Sequence, residues 1–203
     1  DSATDLRVEK CEGVPLILQE YAEIMLETDG DLKPNVPLSL TSIIQSKLDR
    51  LDDETRRFAR AGSALGRSFE SKLVARLAGQ DISRTETMAE ALHALNLTYR
   101  ADEIKDNDQI TFTHALIRDA IYGNMPKDER RAIHDAIANA YVSKAARPPL
   151  EDHVLADHLA KANRGAEAAE YYVAAALTAT KKGAAAEALA YLEAGLEGIE
   201  TLP

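Results

Sequence analysis

Residues 110–125, ITFTHALIRDAIYGNM, place a histidine where the backbone itself could help hold a phosphate. Ile110 and Phe112 alternate with Thr111 and Thr113, the period of a half-buried strand, and Leu116, Ile117, Ala120 and Ile121 then recur at helical spacing. His114 stands at the junction. There the first-turn N–H groups lack intrahelical partners and the helix dipole is positive, so an anion is stabilised. The same ring could equally cap or pack at the junction with no ligand, because a neutral imidazole both donates and accepts. Pro15, in EGVPLILQEY, is a similar case. A proline in the first turn of a helix gives up an N–H that has no partner anyway, so position alone accounts for it.

Other residues with chemical potential read as structural. His153 and His158 are five apart, so on one helix they diverge by about 140°, and HExxH is absent. His134 sits beside Asp135 with no cysteine near; it, His153, His158 and His93 read as structural or solvated, and metal binding is not expected. Asp49, Asp52, Asp53 and Glu54 gather around a helix start, where negative groups favour the dipole. No pair of carboxylates is forced together for acid–base work. GxxxxGK[ST], GxGxxG and a nucleophile elbow are all missing. Lacking the lysine and the magnesium-holding hydroxyl, the chain as given is expected to catalyse nothing.

The elements that would carry these residues are mostly helical. Residues 3–11 are weakly helical and Gly13 is a plausible stop; a helix from Pro15 to about Leu26 follows, then a turn-rich linker, TDGDLKPNVP, at 28–37. Helices are expected at Ser39–Leu51, at about Asp53–Leu65 with Asp53 as N-cap, at Ser71–Leu77 and at about Arg84–Leu95, with GRSFE breaking the second from the third. LTYRADEI and QITFTH flank the polar turn KDND and read as a hairpin. Helices, hairpin and helix over 37–125 give a winged-helix arrangement. After Pro126 the chain reads as helix throughout: one helix beginning near Pro126, then RPP at 147–149, then helices at about 150–162, 166–181 and 184–200 with Gly165 and Gly183 between them. The last two have faces of Ala with Tyr172, Leu177, Leu189, Leu192 and Leu196, the small-residue spacing of a tetratricopeptide-like repeat. About one and a half repeats are present, and such repeats close no core alone.

The totals bound the function classes. The chain has 203 residues, 24 Lys plus Arg against 34 Asp plus Glu, and a formal charge of −10. That length can bury a real core. The acidity argues against gripping nucleic acid or an anionic membrane as the main task. One cysteine, Cys11, excludes an internal disulfide and suits a reducing, cytoplasmic setting. No apolar run is long enough to span a bilayer and no signal peptide is visible. The chain opens at Asp1 on the helix-like DSATDLRVEK, so a piece of a longer polypeptide is expected.

The order of these pieces resembles the C-terminal part of a STAND-type signalling ATPase, a P-loop regulator in which a helical lid, a winged helix and a repeat array follow the nucleotide-binding core. It is most similar to bacterial adenylate/guanylate cyclase-like members, where a class III cyclase domain precedes the ATPase and tetratricopeptide repeats follow. The resemblance spans essentially the whole chain. EGVPLILQEY is similar to the lid's Gly-x-Pro segment, VPLSLTSIIQSKLDRLDDETRRFARAGSALGRSF at 36–69 to the first half of the winged helix, and ITFTHALIRDAIY to its last strand and helix. ERRAIHDAIANAY and DHVLADHLAKA resemble the helices leading into the repeats.

The resemblance implies a lid remnant at 1–30, a winged-helix domain at 37–125, and a helical linker with repeat onset at 126–203. It implies that Pro15 lines the adenine and His114 reaches the β-phosphate of ADP, both only when the nucleotide core of the parent chain is present with ADP or ATP and Mg. Relatives often carry aspartate directly after that histidine; here the residue is Ala115. The implied role is regulatory, with a protein partner or ligand sensed by the repeats. Two rival readings stand beside it: a DNA-binding transcription regulator and an inert interaction scaffold. Against the first, residues 37–125 hold 12 basic and 13 acidic residues, and the expected recognition helix RTETMAEALHAL pairs Arg84 with Glu86 and Glu90.

Overall fold

The computed structural model describes residues 39–100, 108–143 and 150–200. Pro15, Cys11, the expected lid at 1–30, the 28–37 linker, residues 105–107 of the KDND turn and RPP lie outside them. Among the described residues the protein is mainly helical with one small antiparallel sheet. The order is α1 (Leu40–Asp49), α2 (Asp53–Leu65), β1 (Ser68–Glu70), α3 (Ser71–Leu77), a single 3₁₀ turn (Ile82–Arg84), α4 (Thr85–Ala94), β2 (Thr98–Tyr99), β3 (Gln109–Phe112), α5 (Ala115–Gly123), α6 (Lys127–Val142), α7 (Asp152–Lys161), α8 (Gly165–Lys181) and α9 (Ala185–Glu200). No helix among the described residues is long and apolar enough to cross a membrane.

Local chemistry sets the boundaries. Ser39 caps α1 by accepting the Ser42 N–H on its hydroxyl. The cap of α2 is Asp52, not Asp53: its Oδ1 accepts the Thr55 N–H at 2.8 Å and its Oδ2 accepts the Thr55 hydroxyl at 3.0 Å. That backbone bond, before any other cause, holds the Asp52 carboxyl below the usual carboxylate range. Asp53 and Glu54 then occupy the first turn, where the dipole favours them.

GRSFE is more than a break. Its Ser68–Glu70 segment is a strand that pairs antiparallel with β3, Phe69 opposite Ile110. β2 joins the other edge of β3, Thr98 opposite Phe112, so the sheet runs β1-β3-β2. The expected antiparallel pairing of the two strands around KDND is therefore present.

One core lies between α1–α5 and the sheet. Phe58, Phe69 and Phe112 are buried at its centre, with ring centroids 5.9 Å apart for the first pair and 5.4 Å for the second. Each such buried side chain contributes roughly 1.5–3 kcal/mol of hydrophobic stabilisation. The close approach needs Gly62 on α2, because a Cβ there would meet the Phe69 ring at 2.6 Å. A second cluster, including Ala138, Leu155, Leu159 and Tyr172, holds α6, α7 and α8 together. Arg60 of α2 donates to Glu129 of α6 at 2.8 Å, bracing the first group of helices against the second.

α8 and α9 form an antiparallel pair whose contact face is small. Ala169, Tyr172, Ala176 and Ala179 face Ala188, Tyr191 and Gly195, and Gly165 meets Gly198 backbone to backbone. Gly165 is thus the first residue of α8 rather than a turn between helices. The leucines expected within these faces lie elsewhere: Leu177, Leu189, Leu192 and Leu196 are exposed. Small residues allow the closest helix approach, and that choice of face turns the large ones outward.

Candidate functional site

β3 and α5 position His114. Ile110 and Phe112 are buried and fix the strand on the core, while Thr113 leaves the sheet by donating its N–H to the Leu97 carbonyl and its hydroxyl to the Asn96 carbonyl. His114 follows in extended conformation (φ −134°, ψ 147°) as the N-cap residue of α5. Its carbonyl accepts the Ile117 N–H at 3.1 Å, but its ring makes no capping hydrogen bond. The residue is exposed, as are Ala115 and Leu116 beside it. The first turn of α5 has no acidic residue to occupy its positive end.

Arg118, one turn further on, is already committed. Its Nε donates to the Ser63 carbonyl at 2.7 Å and its Nη1 to Asp119 at 2.8 Å. The arrangement offers an anion an exposed imidazole and a helix N-terminus, and no free guanidinium from this helix. Pro15, the other expected nucleotide contact, lies outside the described residues.

A second polar group occupies the far end of α5. Tyr122 Oη lies 2.8 Å from His134 Nε2, and His134 Nδ1 lies 2.8 Å from His158 Nδ1. Both histidines are buried. At that separation the two Nδ1 atoms share one proton, so each ring is neutral and one donates to the other. Burial first, then repulsion from a protonated His158 and from Lys161, Arg130 and Arg118, pushes His134 well below the ordinary histidine value. Burial and Lys161 push His158 down, against a smaller opposing pull from Asp157. The Arg118 and Arg130 guanidiniums both lie over the Tyr122 ring, at 5.1 and 4.7 Å.

Reading each histidine singly left this pair unseen. The available signal was register. His134 shares a helical face with Ile137 and Ala138, and His158 stands next to Leu159 and one turn from Leu155. His153 stacks on Tyr191, its Nδ1 3.4 Å from Glu151, and His93 Nδ1 lies 3.0 Å from the Thr98 carbonyl. No group of three or more metal-ligating side chains forms among the described residues.

Arg164 ties the next corner. It pairs bidentately with Glu167 and also donates to Asp135 and Asn139 on α6. The hydrogen bond to Glu167, and then the one to Asp135, raise its pKa. Tyr172 likewise donates to Asp157 at 2.5 Å.

No family of known proteins, no curated protein and no solved structure matches this chain.

Proposed function

We propose that this chain is the regulatory arm of a STAND-type signalling ATPase, in a parent that couples nucleotide state to an output such as a nucleotide cyclase in the cytoplasm. In this reading α1–α5 and the sheet are a winged helix and α6–α9 begin a tetratricopeptide-like array. The succession helix, strand, two helices and two strands, with β1 added to the far edge of β3, supports the first part. The antiparallel α8–α9 pair, joined through alanine and glycine faces, supports the second.

One observation carries the proposal: His114 stands exposed at the start of α5, its ring making no capping hydrogen bond, beside a positive helix end whose first turn has no acidic residue. In the resting parent that ring donates to the β-phosphate of ADP held by the nucleotide core, and Pro15 lines the base. α5 also supplies the link to the repeats. Nine residues long, it spans about 14 Å at 1.5 Å per residue, and its other end carries Tyr122, bonded through His134 to His158 on α7. A shift of the helical array bears on α5 and loosens the phosphate contact, so that ATP replaces ADP. This is a two-state equilibrium biased by differential contacts. The segment itself does no chemistry.

The rival DNA-binding reading needs free cations flanking α4, at Arg84 before it and Arg100 after β2. Arg84 is paired with Glu54, and Arg100 is held bidentately by Glu86 at 2.5 and 2.8 Å. These pairs favour the switch over a nucleic-acid partner.

The test is His114→Ala in the complete parent. ADP retention should fall about tenfold or more, as for loss of one charge-assisted hydrogen bond, with the melting temperature unchanged because the residue is exposed. Unaltered nucleotide affinity and basal output would leave α1–α5 an inert scaffold.

A further inference from the structure

The outer surface of the α8–α9 pair is built for another helix. On α9 the buried positions are small, Ala188 and Gly195, whereas the large apolar residues Leu189, Leu192, Leu196 and Ile199 are 58, 43, 61 and 48 % exposed. Their spacing of three, four and three residues is that of a heptad seam, which presents one continuous stripe. Val173 and Leu177 on α8, also exposed, extend it. Each stands one position after residues that face α9, about 100° round the helix, and the α9 stripe is turned by a similar angle. Because the two helices run antiparallel, equal turns bring both rows to the same side of the pair. Scattered single leucines on a surface are ordinary; a contiguous stripe is a docking surface.

Charge selects the occupant. α9 carries glutamates and no basic residue. Glu193 and Glu197, both exposed, follow Leu192 and Leu196 along the outer edge of the stripe. A second copy of the chain would bring the same acidic edge and a net charge of −10 against it. We propose that the stripe receives an amphipathic helix whose apolar seam is edged by Lys or Arg, the pairing that flanking charges enforce in helix–helix recognition. This rests on the partner-sensing half of the function proposed above and is independent of the nucleotide contact at His114.

The test titrates the full 203-residue chain with two synthetic heptad peptides that share a leucine seam, one edged with Lys and one with Glu. The Lys-edged peptide should bind saturably. Leu192→Asp with Leu196→Asp should weaken it at least about tenfold, and Glu193→Lys with Glu197→Lys should shift the preference to the Glu-edged peptide. All four sites are exposed, so the variants should retain the helical circular dichroism of the parent chain. The proposal is overturned if neither peptide binds, if both bind alike, or if the aspartate variants bind the Lys-edged peptide undiminished, which would mark plain charge attraction. It is also overturned if the chain dimerises in solution and the aspartate variants dissolve the dimer, which would make a second copy the occupant. Failure here would leave the ADP-retention assay untouched, and failure of that assay would leave this one untouched.

Discussion

His134 and His158 show how two ordinary residues become a pH-dependent joint. Each ring is held neutral by burial first; for His134 a protonated His158 and the charges of Lys161, Arg130 and Arg118 add to it, and for His158 the charge of Lys161 does. Asp157 is the one group that opposes this for His158. Both folded values lie below the ordinary 6.5, so the unfolded chain binds more protons below that pH. Stability is therefore complete above about pH 6.5 and declines as the pH falls beneath it, by at most about 1.4 kcal/mol per pH unit for each ring. Urea midpoints measured from pH 7 to pH 5 should fall for the native chain. They should fall less for His134→Leu with His158→Leu, which keeps the burial and removes both titrations. Parallel slopes in the two chains would show that carboxylates alone set the acid response.

At the level of elements, glycine decides how near α8 and α9 come. A Cβ on Gly165 would sit 2.0 Å from the Gly198 carbonyl oxygen, a backbone atom with no rotamer to escape into. Gly165→Ala should cost about 1–3 kcal/mol, lowering the melting temperature, whereas Gly123→Ala, with nothing within 4 Å of its Cβ, should be neutral. Equal melting temperatures for the two variants would mean that α9 can stand off at no cost. Elements of this length were legible in the sequence: α1 to α9 fall within a few residues of their expected spans because long periodic patterns survive tertiary packing. β1 was not, since three residues are too few to display a period of two, and its pairing with β3 lies some forty residues away. The direction of the leucines on α9 was not legible either. Amphipathicity tells that a helix has two faces, but in an alanine-rich helix close approach, not bulk hydrophobicity, chooses the inner one. At the candidate site, the strand-to-helix placement of His114 was readable from local pattern, while the contact between His134 and His158 joins helices 24 residues apart and required the fold.

For the molecule as a whole, the proposed latch sets a limit on what this chain can bind alone. A micromolar nucleotide complex needs about −8 kcal/mol. Association costs at least about 4 kcal/mol in lost translation and rotation before any contact is counted. A single charge-assisted hydrogen bond from His114 returns about 1.5–3 kcal/mol, and an exposed helix end adds up to about 1 kcal/mol, screened by salt. At their upper end these contributions only match the smallest association cost and leave nothing toward micromolar affinity, and the negative charge of the chain works against a polyphosphate. The lysine and hydroxyl that would cradle the phosphates and magnesium are absent from the sequence as a motif. Titrating the 203-residue chain with ADP or ATP should therefore give no saturable heat at micromolar concentration, in the presence or absence of magnesium. Tight binding by the isolated chain would place a complete phosphate site within it, and His114 would then belong to that site rather than to a contact reaching across to another domain.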